Sequence, residues 1–293
     1  MRVAIVGFGL IGGSVARALR RAGGRSLAAW SPRSGGPGRA LAEGILDAAP
    51  PTLAGTIAGA DLVVLAAPPP ACLTLVGLLA GDLRAALGRA LVTDVASTKA
   101  AIVERAGRLD LRFVGGHPMA GREASGYAAG SADLFDDRPW VVVPAERSAA
   151  EDVERVRDLA RACGARPVEM GAADHDAAVA AISHLPLIVA AALVEAVVGA
   201  PGGPQRADWP AAAALATSGW QGMTRLARGE PAMGGGIAAT NAGPIALRLR
   251  DLRAALDSWL AELEALDSTG GDPAAASRLT ARFAADRERL AGR

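Results

Sequence analysis

Val3-Ala4-Ile5-Val6-Gly7-Phe8-Gly9-Leu10-Ile11-Gly12 decides how the rest of this chain is read. A short apolar run meets three glycines spaced G-x-G-x-x-G, and a helical stretch from about Ile11 to Ala22 follows. In a strand–turn–helix setting the first glycine, Gly7, makes the tight turn. Gly9 lets the backbone approach a pyrophosphate, and Gly12 lets helix and strand pack closely. The helix N-terminus supplies N–H groups and positive dipole to the anion. Gly7, Phe8, Gly9, Leu10, Ile11 and Gly12 form the expected cofactor-binding turn.

Working outward, apolar runs recur at Leu27–Trp30, Leu62–Ala66, Ala90–Val95, Phe113–Gly115, Trp140–Val143 and Arg166–Met170. Helical patterns separate several of them, at about 72–87, 97–108 and 150–163. Continuous apolar strands alternating with helices predict an α/β fold whose parallel sheet is covered on both faces. After Gly171 strand patterns stop. Helices are expected at roughly 174–198, 207–227, 244–266 and 273–290. Ile245, Leu249, Leu252, Leu256, Trp259, Leu263 and Leu266 recur at spacings of four and three, a one-sided seam for helix packing. The expected organisation is a Rossmann-type dinucleotide-binding domain over 1–171 and an all-helical domain over 172–293.

Composition narrows the function. The chain has 293 residues, 51% of them hydrophobic, so it has the material for a sizeable core. Thirty-one basic residues against thirty acidic ones leave a net charge of +1, with no electrostatic footprint for nucleic acid or an anionic membrane. Cys72 and Cys163 lie far apart in no ligand spacing, so neither a disulfide framework nor a metal site is expected. The apolar stretch Ala177–Val198 contains His184, Pro186 and Glu195, which favours a buried helix over a membrane span. Glycines 7, 9, 12 and 13 interrupt the apolar N-terminus and argue against an export signal. A cytoplasmic protein is expected. Of the basic residues only Lys99 is lysine, and Asn241 is the only asparagine. GC-rich coding explains the arginine excess; the two exceptions draw attention to their surroundings.

The second strand ends Trp30-Ser31-Pro32-Arg33, with no carboxylate before Glu43. A carboxylate there would bind the ribose 2′-hydroxyl of NAD; Ser31 and Arg33 suit a 2′-phosphate, so NADP is preferred over NAD. Ala67 and Pro68, after the third strand, complete the cofactor set. Thr93-Asp94-Val95-Ala96-Ser97-Thr98-Lys99 lies at the carboxyl end of the next strand, where open α/β sheets bind ligands. Ser97 is placed to cap the following helix. His117, in a Gly/Pro-rich loop after a strand, is placed to act as a base near neutrality. Pro186 kinks its helix, and Ser183 and His184 beside it are candidates for a site wall. His175, between Asp174 and Asp176, reads most simply as a helix start. Arg225 or Arg228 suits a substrate carboxylate, which a guanidinium binds bidentately; spacing does not separate the two.

Taken in order, GFGLIGGS (7–14), TDVASTK (93–99), GGHPMAGREASG (115–126), ADLF (132–135), HD (175–176), SHLP (183–186), TRLA (224–227) and Asn241 resemble the prephenate/arogenate dehydrogenase family of tyrosine biosynthesis. The resemblance covers nearly the whole chain. It implies a helical C-terminal domain that dimerises, giving a homodimer. It implies oxidative decarboxylation of prephenate to 4-hydroxyphenylpyruvate and CO₂, or of arogenate to tyrosine. It makes His117 the base that takes the proton of the substrate hydroxyl, with Ser97 orienting His117 or that hydroxyl. Arg225 would bind a substrate carboxylate, Ser183 and His184 would line the pocket, and Glu123 would stand near its entrance. The chain departs from the family at Leu187, where many members have histidine, at Gly222, where aspartate is common, and at Gly234, where tryptophan is common. The alternative of a β-hydroxyacid-type dehydrogenase would want a catalytic lysine in the helical half, which has none.

Overall fold

The computed structural model describes residues 1–32, 35–122, 124–268 and 272–291. Among these, seven strands form one sheet: β1 (Arg2–Val6), β2 (Ser26–Trp30), β3 (Leu62–Leu65), β4 (Leu91–Asp94), β5 (Phe113–Pro118), β6 (Pro139–Pro144) and β7 (Arg166–Glu169). Their spatial order is β2-β1-β3-β4-β5-β6-β7. Neighbours pair in parallel except β5 and β6, which are antiparallel. The apolar runs located all seven strands, but an apolar run carries no sign of direction, and the reversal at β6 was not expected.

Side chains alternate between the two faces, as strand geometry requires. Val3, Ile5, Leu62 and Val64 join a core with the helices Leu10–Ala22 and Ala150–Ala162. Ala4, Val6, Val63 and Leu65 join a second core with the helices Pro69–Ala80 and Ala100–Arg108. From β1 the chain runs to β2 on one side and returns to β3 on the other. The loops leaving β1 and β3 therefore diverge and open a crevice at the carboxyl ends of the strands.

Several expected elements differ in detail. The helix expected from residue 72 starts at Pro69, because the first turn has no use for the N–H groups that proline lacks, and it breaks at Gly81. The stretch expected as one helix over 174–198 is three pieces: Ala172–Val179, a π turn over Ala180–His184, and Leu185–Val198, with Pro186 in the first turn of the last. By length and composition 172–198 could cross a membrane, and 22% of its most apolar window is buried, so the expected burial is partial. Trp209–Ala214 and Ser218–Thr224 replace the single helix expected over 207–227, and a 3₁₀ turn, Arg225–Arg228, follows. A helix at Pro231–Thr240 was missed, because three successive glycines argue against one. Packing overrides propensity there: a Cβ on Gly236 would lie 2.8 Å from Pro70 Cδ.

The chain divides into two compact units, Met1–Ile245 and Ala246–Arg293. The second is a helical hairpin. Its Trp259 and Phe283 rings lie 4.8 Å apart, and Arg282 stacks over Trp259 at 3.9 Å while bonding Glu262 at 2.7 Å. Along the expected seam, Leu256 and Leu263 are exposed, as are neighbouring Leu260 and Phe283.

Candidate active site

The glycine turn meets the demands of a dinucleotide. Gly7 has φ +92°, and a Cβ there would lie 2.2 Å from the Ala66 carbonyl oxygen after β3. A Cβ on Gly12 would lie 2.2 Å from the Gly7 carbonyl oxygen, whereas one on Gly9 meets nothing within 4 Å. Gly7 and Gly12 are thus required by packing, and Gly9 leaves open space for a pyrophosphate. The helix Leu10–Ala22 begins without a side-chain cap, so its first N–H groups are left for an anion. Leu10 and Ile11 are half-buried and pack against the core, and the buried Phe8 ring stacks on Tyr127 at 5.2 Å.

Around this turn, Ser31 is half-buried just after β2, and Ala67 and Pro68 follow β3. Pro68 stands at the N-cap of Pro69–Ala80, and the Ala67 carbonyl accepts from Cys72 Sγ at 3.2 Å. Arg33 and Glu123 lie outside the described residues. Glu43 is already engaged, by the Tyr127 hydroxyl at 2.6 Å, Arg39 at 2.8 Å and Arg17 at 3.0 Å. Those bonds, Tyr127's first, hold its carboxyl down at about 2. Tyr127 also ties the segment after the GREASG motif to the nucleotide helix. Arg17 lies 4.4 Å over its ring, and the Ser131 N–H bonds Ser14 Oγ at 3.0 Å.

The chain's three histidines, its one lysine and its one asparagine meet in a single buried network. His117 is in β5, not in a loop: antiparallel β6 extends the ladder, pairing His117 with Val141 and Pro118 with Trp140. At the end of β4, Asp94 accepts from the N–H groups of Gly116 at 3.2 Å and Ala96 at 3.1 Å, and from Lys99 Nζ. Asp94 and Lys99 are fully buried, so each would be costly without the other.

His117 Nδ1 lies 2.8 Å from His175 Nε2, and His175 Nδ1 lies 2.8 Å from Asp176 Oδ1. Asp176 also accepts the backbone N–H groups of Lys99 at 2.8 Å and Ala100 at 2.9 Å. The expected Ser97 cap is therefore not made. The helix opens at Ala100 with Lys99 at its N-cap, and a carboxylate from 77 positions along the chain from Lys99 binds its first N–H groups. Asn241 donates to the Asp176 carbonyl at 2.8 Å and stands 3.0 Å from His184 Nδ1. His184 Nε2 makes no hydrogen bond of ordinary distance and angle among the described residues, though the Ser97 backbone stands close enough to favour its protonated form. Thr98 and Thr240 hydroxyls bond at 2.8 Å.

Burial first, then the electrostatic opposition of His175, Lys99 and His184 to a further proton, holds His117 well below its ordinary value. Burial pushes His184 down to about 4, with Asp176 and the Ser97 backbone opposing and His175 adding. Burial would raise the Asp176 carboxyl, but the bonds from His175, Ala100 and Lys99 outweigh it and leave it lowered. The site at neutral pH thus holds two neutral imidazoles, His117 and His184, and an ionised Asp176.

The structure brings His117 and His184 into one network. Ser97 is half-buried just before it; Ser183 is exposed in the π turn; Arg225 is exposed in the 3₁₀ turn, as is Arg228. Asp94, His175, Asp176, Asn241 and Tyr127 were not among the expected site residues. The scarcity of asparagine was the signal that drew attention to Asn241.

A family model described as the nucleotide-binding domain of prephenate dehydrogenase matches residues 15–169, and one described as its dimerization domain matches residues 171–269. The prephenate dehydrogenase of Bacillus subtilis (strain 168) is 30% identical over 266 residues, 89% of this chain and 68% of that protein. The crystal structure of Synechocystis arogenate dehydrogenase matches with TM-score 0.75 and 34% identity, over 99% of this chain and 100% of that one. Prephenate dehydrogenase from A. aeolicus, solved with hydroxyphenyl propionate and NAD+, shares the fold with TM-score 0.82 and 24% identity, over 99% and 98% of the two chains.

Proposed function

Since the chain belongs to the prephenate dehydrogenase family of NAD-dependent oxidoreductases, we propose that it converts prephenate to 4-hydroxyphenylpyruvate and CO₂. His117 carries the reading: it is a buried, neutral imidazole whose Nδ1 is engaged by His175. In this role Nε2 takes the proton of the substrate hydroxyl as hydride leaves the same carbon. The ring carboxylate departs as CO₂, its electron pair aromatises the ring, and the oxygen takes the proton back from His117 Nε2 to give the phenol. The nicotinamide cofactor, when bound at the 7–12 turn, supplies the hydride acceptor. A positioned base of this kind contributes about 10²–10⁴ in rate.

The remaining assignments complete the proposal. Arg225 binds a substrate carboxylate, which a guanidinium fork does bidentately. Ser97 orients His117 or the hydroxyl, Ser183 and His184 line the pocket, and Glu123 stands at its entrance. NADP is the preferred cofactor. Ser31 and Arg33 follow β2, and Glu43 is held by Tyr127, Arg39 and Arg17, so it is not offered to a ribose hydroxyl. The dinucleotide-binding part is assigned to 1–171 and the helical part to 172–293, with the protein a cytoplasmic homodimer.

Arogenate is the second reading, favoured by the 34% identity to the Synechocystis arogenate dehydrogenase. Initial rates with prephenate and arogenate, each with NAD and NADP, decide between them; the largest kcat/KM is expected for prephenate with NADP. His117→Asn is expected to lose about 10²–10⁴ in kcat while keeping cofactor affinity. Wild-type turnover in that variant would sink the assignment of the base.

A further inference from the structure

With one ring proton on each histidine, the hydrogen-bond chain behind His117 has one consistent assignment of protons. An ionised carboxylate only accepts, so at the His175–Asp176 contact of 2.8 Å the proton is on His175 Nδ1. Asp176 is kept in that state by two backbone N–H groups, from Lys99 at 2.8 Å and Ala100 at 2.9 Å, at the start of Ala100–Arg108. With Nδ1–H as its one ring proton, His175 has a bare Nε2. His117 Nδ1, 2.8 Å away, must donate to it. The bare nitrogen of His117 is Nε2.

We propose that His175 and Asp176 are positioning residues that hold His117 as its Nδ1–H tautomer, with the Nε2 lone pair turned out for a substrate proton. This rests on the reading of His117 as the base. His175 keeps its own proton and Asp176 stays ionised; no charge is relayed. The opposite arrangement, with His175 doubly protonated, would make His117 Nδ1 an acceptor, place its proton on Nε2 and abolish the base. Asn241 anchors the chain from the far side by donating to the Asp176 carbonyl at 2.8 Å. Its second amide hydrogen points to His184 Nδ1 at 3.0 Å, so His184 carries its proton on Nε2, the reverse of His117. The helices that follow the sheet thereby set the protonation of a residue in β5, through contacts 58 and 65 positions apart in sequence.

Since the chain has three histidines, ¹⁵N-imidazole NMR of the intact protein reads this network and nothing else. At neutral pH, His117 and His175 are expected protonated on Nδ1 and His184 on Nε2; a proton on His117 Nε2 would overturn the proposal. Kinetics give a second readout. His175→Leu removes the acceptor and is expected to lower kcat on the order of 10²–10⁴-fold, the scale of a wrong-tautomer base, with cofactor KM within about threefold of wild type. His175→Gln places an amide oxygen near the position of Nε2 and should recover at least about tenfold in kcat over His175→Leu, the rescue expected when the acceptor is restored. Equal kcat in His175→Leu and wild type, or no recovery in a folded His175→Gln, would refute the positioning role. A protein that shows the expected tautomers but oxidises neither prephenate nor arogenate would instead defeat the functional reading.

Discussion

Lys99 shows why a rare residue type points to structure. The chain has thirty arginines and could have had another, but the space beside Asp94 is fully buried and takes a compact ammonium on a flexible stem, not a planar fork. The histidines are confined in the same way, and their burial has a pH signature. His184 titrates at about 4 when folded, against an ordinary 6.5, and His117 is lowered as well. Between the two His184 values the unfolded chain binds a proton that the folded chain refuses, so stability falls as pH drops from 6.5 toward 4, at about 1.4 kcal/mol per pH unit for His184, with His117 acting in the same direction. Above pH 6.5 these groups make no difference. Lowered carboxylates such as Glu43 lose their contribution only on falling below about 4.5, so the histidine window stands apart. Urea midpoints taken between pH 7.5 and 5 are expected to fall through it; a flat series would contradict the buried neutral state. His117 was legible from its Gly/Pro setting, whereas His175 was not, because a histidine between two aspartates at a helix start has an ordinary local explanation.

At the scale of elements, β5 is where reading by pattern reaches its limit. Gly115 and Gly116 look like the start of a loop, yet the strand continues through them because β6 pairs alongside. The glycines serve close approach: a Cβ on Gly116 would lie 2.6 Å from the Asp94 carbonyl oxygen and 3.0 Å from Trp140 Nε1. Gly116→Ala is therefore expected to cost about 1–3 kcal/mol by overpacking and to displace His117, lowering kcat as well. A thermal scan and kcat measured on the same preparation check this; an unchanged melting temperature would mean that β4 and β5 yield freely. The π turn Ala180–His184 has a similar lesson. Pro186 announced a kink; the irregularity found is a π turn just before it, in which His184 is buried and Ser183 exposed.

At the scale of the whole molecule, several large apolar side chains of the helical part are exposed among the described residues. Leu256, Leu260, Leu263 and Phe283 are at least half exposed, and the apolar stretch 172–198 is only partly buried. Surface of this kind on a soluble monomer is costly, which supports the proposed homodimer. Sedimentation equilibrium is expected to return twice the chain mass, and Leu260→Asp with Leu263→Asp to return the single mass; a wild-type monomer at all concentrations would exclude the dimer. Periodicity by itself determined the strand–helix alternation, the glycine turn and the change to helices after Gly171, because these depend on neighbours three or four positions apart. The direction of β6, the helix through Gly234–Gly236 and the network of His117, His175, Asp176 and Asn241 were decided only by tertiary structure. Their partners lie tens to more than a hundred positions away, and what selects them, pairing along an edge, close backbone approach and the need of every buried polar group for a partner, leaves no local pattern in the chain.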